Sequence, residues 1–389
     1  MGEKELLLAL LREQVCGETV QLEQIEPECL EKLYALAKKH DLAHIVGQRL
    51  AARKMLGEDE ISQKMKTCAM QAVYRYTQLD YELKQICRVL EEAAIPFIPL
   101  KGSVLRELYP EPWMRTSCDI DILVHESILE HATRVLAEKL NYKVGEKWGH
   151  DISLYSPTGV HLELHYAMIE ETQVASSLVV LDRFWDSATP CESCRYQHRV
   201  SDEMFYFYHI AHMAKHVRSG GCGIRPFLDL WILNHRVEHS KPNRDSLLSE
   251  GGLLAFAEAA EKIAELWFSG KSCDDALAKQ FEKYILGGGT YGTLENSISV
   301  RRANAGKLKY IFSRIFVDNS FLVLMFPALK KHPWLMPFGQ VMRWFKLLFD
   351  GKLRLAAVEL RMNASISEDQ ELSAKRLLRY LGLEQGDSQ

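Results

Sequence analysis

Several absences narrow this chain before any motif is read. No apolar run approaches the roughly 20 residues a membrane-spanning helix needs, and the longest, FLVLMFPAL over 321–329, is interrupted by Pro327. A secretory signal is not expected, because MGEKELLLALLREQV mixes acids and bases along an amphipathic helix pattern instead of placing a charged head before an apolar core. The nine cysteines are scattered, odd in number and without the doubled CxxC spacing of a zinc ribbon. Reduced thiols and a cytoplasmic location are the expectation that follows. The lone Cys191-Glu-Ser-Cys194 after a proline reads as a loop pair, not as a redox or zinc site. No internal repeat is visible.

What is present is the composition of a soluble globular chain, 47% hydrophobic and 26% charged, in 389 residues that suggest two or three domains. Residues 1–93 read as helices. Leu6, Leu7, Leu10 and Leu11 form a core-facing stripe, Pro27 opens a second helix, a third runs from Leu42 to Lys54, and Ile61–Glu92 is long enough and free enough of breakers for a single helix. Residues 94–200 change texture to strands interleaved with helices, over 95–100, 119–124, 142–147, 151–156 and 160–166, the last two joined by a Pro157-Thr158-Gly159 turn. From 201 onward helices return: one starting at Ser201 as N-cap, one over 226–236, and further ones over 252–268, 273–285, 296–316 and 337–349. The fold class expected is α+β, a small mixed sheet flanked by helical N-terminal (1–93) and C-terminal (201–389) regions around a 94–200 domain.

The chain turns on residues 95–124. An apolar run ends in Lys101-Gly102-Ser103, a helix-sized segment follows, and then comes Asp119-Ile120-Asp121-Ile122-Leu123-Val124. On a strand, residues two apart share a face, so both carboxylates point one way while Ile120 and Ile122 enter a core. Their Cα atoms would lie about 7 Å apart at roughly 3.3 Å rise per residue, close enough to share metal ions spaced about 3.5–4 Å. An edge strand with two solvated acids would show the same DxD. A strand, a Gly-Ser turn into a helix and then DxD is a rarer combination, and here the chain resembles the polymerase-beta-like nucleotidyltransferases. It is most similar to a large, uncharacterised bacterial nucleotidyltransferase family, through LKG at 100–102, Arg115 with the DIDILV strand that follows, and HLELH at 161–165. Fifteen residues separate Ser103 from Asp119, more than is usual in that superfamily, so the loop Tyr109–Ser117 is expected to be long or mobile.

The resemblance implies transfer of a nucleoside monophosphate from a nucleoside triphosphate to an acceptor hydroxyl, with Mg²⁺ or Mn²⁺ as cofactor and pyrophosphate released. It also implies a third carboxylate on a later strand. Glu163 matches that position, on a strand where His161, Glu163 and His165 share a face, and Asp151 is the alternative. Asp119, Asp121 and Glu163 are then the catalytic metal ligands, with Glu163 also a candidate base. Gly102 and Ser103 fit a phosphate-side turn, since glycine allows close backbone approach and helix-start N–H groups attract anions. Lys101 and Arg115 would neutralise phosphate charge.

His209, His212 and His216 fall on one helix face. They line a nucleotide cleft, with Lys215, or are structural; a zinc site lacks a matching Cys or carboxylate there. Lys215, Arg218 and Arg225 are candidate contacts for triphosphate or an acidic acceptor. Asp229, four residues after Arg225, is expected to pair with it. Residues 301–355 carry eleven Lys and Arg against two acids, a net of +9 that leaves −13 for the rest of a chain totalling −4. Aromatics interleave there, so the stretch is either a nucleic-acid, membrane or acidic-partner surface or a helical core with cations facing the acidic remainder. The acceptor (small molecule, peptide or protein) is not readable from the residues. A rival function is a non-catalytic module that binds nucleotide or a partner through this basic region, and loss of function in Asp119→Ala would discriminate against it.

Overall fold

The computed structural model describes residues 1–22, 24–168, 174–290, 292–351 and 353–384. Its N-terminal helices are α1 (Glu3–Leu11), α2 (Pro27–Lys39), α3 (Ala43–Ala52) and α4 (Glu60–Glu92). Pro27 sits in the first turn of α2, where its missing N–H has no helical partner to lose. The 33-residue α4 contains no Gly or Pro and starts at Asp59, whose carboxylate accepts the Ser62 N–H at 2.9 Å. At 1.5 Å per residue it is about 50 Å long, and it serves two cores. Met65 packs with the helices, whereas Leu79, Ile86 and Leu90 pack against the sheet.

The sheet follows as β1 (Phe97–Pro99), a single helical turn α5 (Gly102–Leu105), β2 (Asp119–Val124), α6 (Leu129–Leu140), β3 (Lys143–Lys147), β4 (Asp151–Tyr155) and β5 (His161–His165). The strand order is β1-β2-β5-β4-β3, with β2–β5 parallel and its neighbours antiparallel. The mixed sheet and the β4–β5 hairpin match the sequence reading. Alternation divides the faces: Ile120, Ile122, Leu154, Leu162 and Leu164 meet α4 and α6 in one apolar core. On the opposite face lie Asp119 and Asp121, while Leu123, next on that face, joins Ile98 and Leu100 in the larger helical core. Glu82 of α4 accepts from Tyr142 Oη (2.8 Å) and Thr158 Oγ1 (2.6 Å), fixing the long helix to the hairpin turn.

Then come α7 (Ala175–Asp182), a two-residue pair β6 (Thr189–Pro190) and β7 (His198–Arg199), α8 (Asp202–Arg218), α9 (Arg225–Arg236), α10 (Lys241–Glu250), α11 (Leu254–Phe268) and α12 (Ala276–Gly288). The chain finishes with α13 (Leu294–Ala305), α14 (Lys307–Ile315), α15 (Asn319–Met325), α16 (Met336–Phe349), α17 (Leu353–Ser365) and α18 (Glu368–Tyr380). The N-terminal helices share one core with α8–α13 and α18, running from Leu6 to Leu383, while Ile298, Tyr310 and Ile366 form a small separate cluster. Cys191 and Cys194 are free thiols in the loop between β6 and β7.

Three expectations are corrected. The helix expected over 296–316 is two helices, because Gly306 adopts φ +76° between α13 and α14 and a right-handed helix cannot continue through that conformation. Loop Tyr109–Ser117 is long but anchored: Tyr109 is buried, Pro112–Met114 forms a 3₁₀ turn, and His44 Nε2 donates to the Met114 carbonyl at 2.8 Å. Asp229 does not pair with Arg225; its partner comes from that loop, as the site geometry makes clear.

Because Ile122 is fully enclosed between the sheet and α4–α6, Ile122→Ala is expected to cost about 2–5 kcal/mol. Urea denaturation followed by circular dichroism measures it, and Ile122→Val should lose much less.

Candidate functional site

The parallel ladder between β2 and β5 sets Asp119 beside His161, Asp121 beside Glu163 and Leu123 beside His165. Directly paired residues on neighbouring strands face the same side, so the carboxylates of Asp119, Asp121 and Glu163 converge. Two imidazoles border them. His165 Nε2 reaches Asp121 Oδ1 at 3.0 Å and Glu163 Oε2 at 3.4 Å, and His161 Nδ1 lies 3.9 Å from Glu163 Oε1. The alternation of HLELH foretold that these histidines share the face of Glu163, but not that His165 bridges two of the acids.

A cation reaches the cluster from the other side. The Leu100 N–H donates to the Asp121 carbonyl at 3.0 Å, the last ladder bond before the chain leaves the sheet. Lys101 then takes φ +39° and ψ −112°, a conformation L residues rarely hold, and its Nζ sits 3.4 Å from Asp121 Oδ1. A Cβ on Gly102 would lie 3.0 Å from Arg115 Nη1 and 3.3 Å from Ser117, so that packing leaves little room for a side chain. Ser103 sits behind this wall, buried, with a hydroxyl that has no hydrogen-bond partner among the described residues.

Arg115 is held internally. Its Nε and Nη2 donate to Asp229 Oδ1 and Oδ2 at 3.0 and 3.1 Å, and Tyr109 Oη donates to Asp229 Oδ1 at 2.7 Å. This buried two-point pair ties the loop before β2 to α9. Arg225, one turn earlier on α9, instead reaches Asp41 at 2.6 Å and the Thr116 carbonyl at 3.1 Å. The expected i, i+4 pair loses because Asp229 is buried beside Arg115, where a guanidinium matches its two oxygens.

Between the acids and the helices lies a cleft of about 710 Å³. Lys101, Asp119, Asp121 and Glu163 line one wall. The opposite wall is the α8–α9 pair, with His209, His212, Lys215, His216 and Arg225, and the far end is made by Lys38, Lys39 and the Gly288–Thr290 turn. Two glycine-rich loops meet there: a Cβ on Gly292 would lie 2.2 Å from the Gly220 carbonyl, so their backbones touch. Within α8, His209 Nε2 donates to the Pro226 carbonyl (2.9 Å), and the Nε2 atoms of His212 and His216 are 3.2 Å apart. Of the expected contacts, Ser103 is thus outside the cleft lining, while Lys101, Gly102, Arg115, His209, His212 and Lys215 border it. A second hollow, of about 480 Å³ between α3 and α4, is lined mostly by apolar side chains and carries no acid.

The charges settle into a fixed pattern. Burial and the neighbouring Asp121 and Glu163 charges push the Asp119 carboxyl up. Burial also opposes ionisation of Asp121, but Lys101 and His165 overcome it and hold this carboxyl well below its usual range. The hydrogen bond from His165 lowers Glu163 against burial. His165 is itself raised to about 9: burial disfavours its charge, and its bonds to Asp121 and Glu163 prevail. His212 is kept neutral by burial and then by the charge of Lys101.

Potential metal-ligand sets among the described residues are Asp119–His161–Glu163, Asp121–Glu163–His165 and His150–Asp151–His165, each with ligand atoms within 4.8 Å of one another. Asp151, the alternative third acid, belongs to the last set and is removed from Asp119 by its pairing opposite His165. A family model described as uncharacterised nucleotidyltransferase matches residues 26–269. The chain belongs to that family. The match takes in α2 to α11, so this nucleotidyltransferase family includes both walls of the cleft. No curated protein matches the chain.

Three outcomes follow from the charge pattern. Asp229→Ala leaves the buried Arg115 charge unpaired and should cost about 3–5 kcal/mol in urea unfolding, whereas Asp119→Asn relieves like-charge crowding and should raise the thermal midpoint of the metal-free protein. His165, raised from 6.5 to about 9 in the fold, contributes stability that is complete below pH 6.5 and lost as pH rises through about 9. The thermal midpoint without divalent ions should fall over that window, and His165→Gln should flatten the fall.

Proposed function

We propose that the cleft performs nucleotidyl transfer: a nucleoside monophosphate moves from a nucleoside triphosphate to an acceptor hydroxyl, and pyrophosphate leaves. The observation that carries this reading is the in-register β2–β5 pairing, which sets three carboxylates at one wall of a cleft whose other wall is cationic and imidazole-rich. Such an arrangement suits a polyanion that arrives with divalent cations, and it resembles the polymerase-beta-like arrangement of DxD and a third acid. In this reading residues 94–200 supply the chemistry, and the helices before and after them wall the cleft.

The donor set fits Mg²⁺ or Mn²⁺. The oxygens of Asp119, Asp121 and Glu163 are the hard ligands these ions prefer, and burial together with the neighbouring Asp121 and Glu163 charges raises the Asp119 carboxyl, a cost that a bound cation would relieve. When bound, the ions supply charge neutralisation of the phosphates and a lowered pKa for the attacking hydroxyl. The chain's own groups do the rest. Asp121 is held in place by Lys101 and His165 and stays ionised across the neutral range. Protonated His165 balances Asp121 and Glu163 in the ion-free state, so it orients the two oxygens that the metal needs. Glu163, the more exposed of that pair, is placed to take the acceptor proton. Lys101, His212 and Lys215 face the cleft and are assigned to the triphosphate, with Gly102 keeping the turn close. Arg115 and His209 are assigned to shaping the wall, because Asp229 and the Pro226 carbonyl already engage them.

Calorimetric titration of ATP, GTP, CTP and UTP, with and without Mg²⁺ or Mn²⁺, tests this directly. One triphosphate should bind only with metal, and Asp119→Ala or Asp121→Ala should abolish that binding. Metal-independent binding that survives both substitutions overturns the assignment.

A further inference from the structure

Helices α14 and α16 turn their apolar stripes outward. On α14, Leu308, Phe312, Ile315 and Phe316 recur at i, i+4, i+7 and i+8 and are all exposed, with Tyr310 buried on the other side. On α16 the stripe is Phe338, Val341, Met342, Phe345, Leu348 and Phe349, again solvent-facing, with Phe338 68% and Phe349 82% exposed. The inward side of α16 is Gly339 and Arg343. A Cβ on Gly339 would meet Leu329, and Arg343 donates to the Arg314 and Ile315 carbonyls at 3.0 and 3.2 Å, so the helix is seated with its polar and small residues toward the protein. Trp334, just before α16, is 76% exposed. This inverts the usual arrangement of a surface helix, in which the apolar stripe faces the core, and contiguous exposed apolar surface marks an interaction site.

Charge says what covers it. Arg302, Arg314 and Arg343 of the basic stretch are engaged internally, with Glu371, Glu359 and backbone carbonyls. The others that border the stripes are exposed: Lys307 and Lys309 flank Leu308, Lys330 and Lys331 precede Trp334, and Lys346 lies within the α16 stripe. Their acidic neighbours are Asp318 and Asp350. We infer that this face lies on an anionic lipid bilayer, with the aromatic and aliphatic side chains entering the headgroup–acyl boundary and the lysines on the lipid phosphates. Exposed Leu, Ile, Val and Met beside the aromatics need an apolar medium, which a nucleic-acid backbone does not offer, and a second copy would bring the same cations against themselves. No helix among the described residues is long and apolar enough to cross a membrane, so the helices lie in the interface plane, as amphipathic helices with basic flanks do. The −13 carried by the rest of the chain would be repelled by the same surface, which orients the face and keeps the body in water. The inference is independent of the reading of the acid cluster.

Flotation of the full chain with vesicles of phosphatidylcholine alone, or with added phosphatidylglycerol, tests it. The protein should float with the anionic vesicles and not with the neutral ones, and added salt should weaken binding without abolishing it. The triple substitutions Phe338→Glu/Phe345→Glu/Phe349→Glu and Lys330→Glu/Lys331→Glu/Lys346→Glu should each lower the bound fraction about tenfold or more, with the circular dichroism spectrum and thermal midpoint unchanged. Three results overturn the inference: no flotation with either vesicle, tighter binding to RNA or duplex DNA than to anionic vesicles at equal salt, or a light-scattering mass showing a dimer that the phenylalanine triple variant dissolves.

Discussion

Everything about the cleft depends on one pairing, the parallel register of β2 with β5. It sets three carboxylates side by side, where charges of one sign repel and lose hydration together. Such an arrangement persists in a fold only if something positive is delivered to it. Two side chains do so here: Lys101 from a strained turn at the end of β1, and His165 from the far end of β5. Both settle on Asp121, which leaves Asp119 as the acid with the raised carboxyl. The two acids, on one strand and two positions apart, therefore differ in charge balance: Asp121 is held ionised, and Asp119 is pushed toward its neutral form.

The scaffold exists to hold that pairing still. Ile120, Ile122, Leu162 and Leu164 lock the back of the two strands onto α4 and α6. Arg115 and Tyr109 converge on Asp229, so the loop that delivers β2 is bound to the helix forming the opposite wall. A buried pair of this kind contributes little net stability against an apolar replacement, but breaking half of it is costly. It therefore acts as a spacer that fixes the width of the cleft. The contact of the Gly220 and Gly292 loops closes the far end in the same way, by backbone approach that no larger residue would allow.

Local periodicity made much of this legible. The DIDILV and HLELH strands, their inward and outward faces, the long helix read over 61–92 and the Ser201-capped helix all follow from spacing that a chain displays by itself. The pairing of Asp229 was not legible, since Arg225 and Arg115 are both plausible partners in sequence and only burial chooses between them. His165 was visible as a face-sharing neighbour of Glu163, but its bridge to Asp121 depends on strand register, which no single strand encodes. Gly306 lies inside the stretch read as one helix over 296–316, and its φ of +76° breaks that helix. In the basic stretch the aromatics were compatible with a core as well as with a surface, and the inward seating of Gly339 and Arg343 is what turns those of α16 out.

The most direct measurement is a crystal structure grown with Mn²⁺ and a non-hydrolysable nucleoside triphosphate. Anomalous density among the oxygens of Asp119, Asp121 and Glu163, with the triphosphate running toward Lys101 and Lys215 and the His165 bridge loosened, is the predicted result. Manganese or nucleotide bound elsewhere, with the three carboxylates unliganded and His165 unmoved, would contradict it.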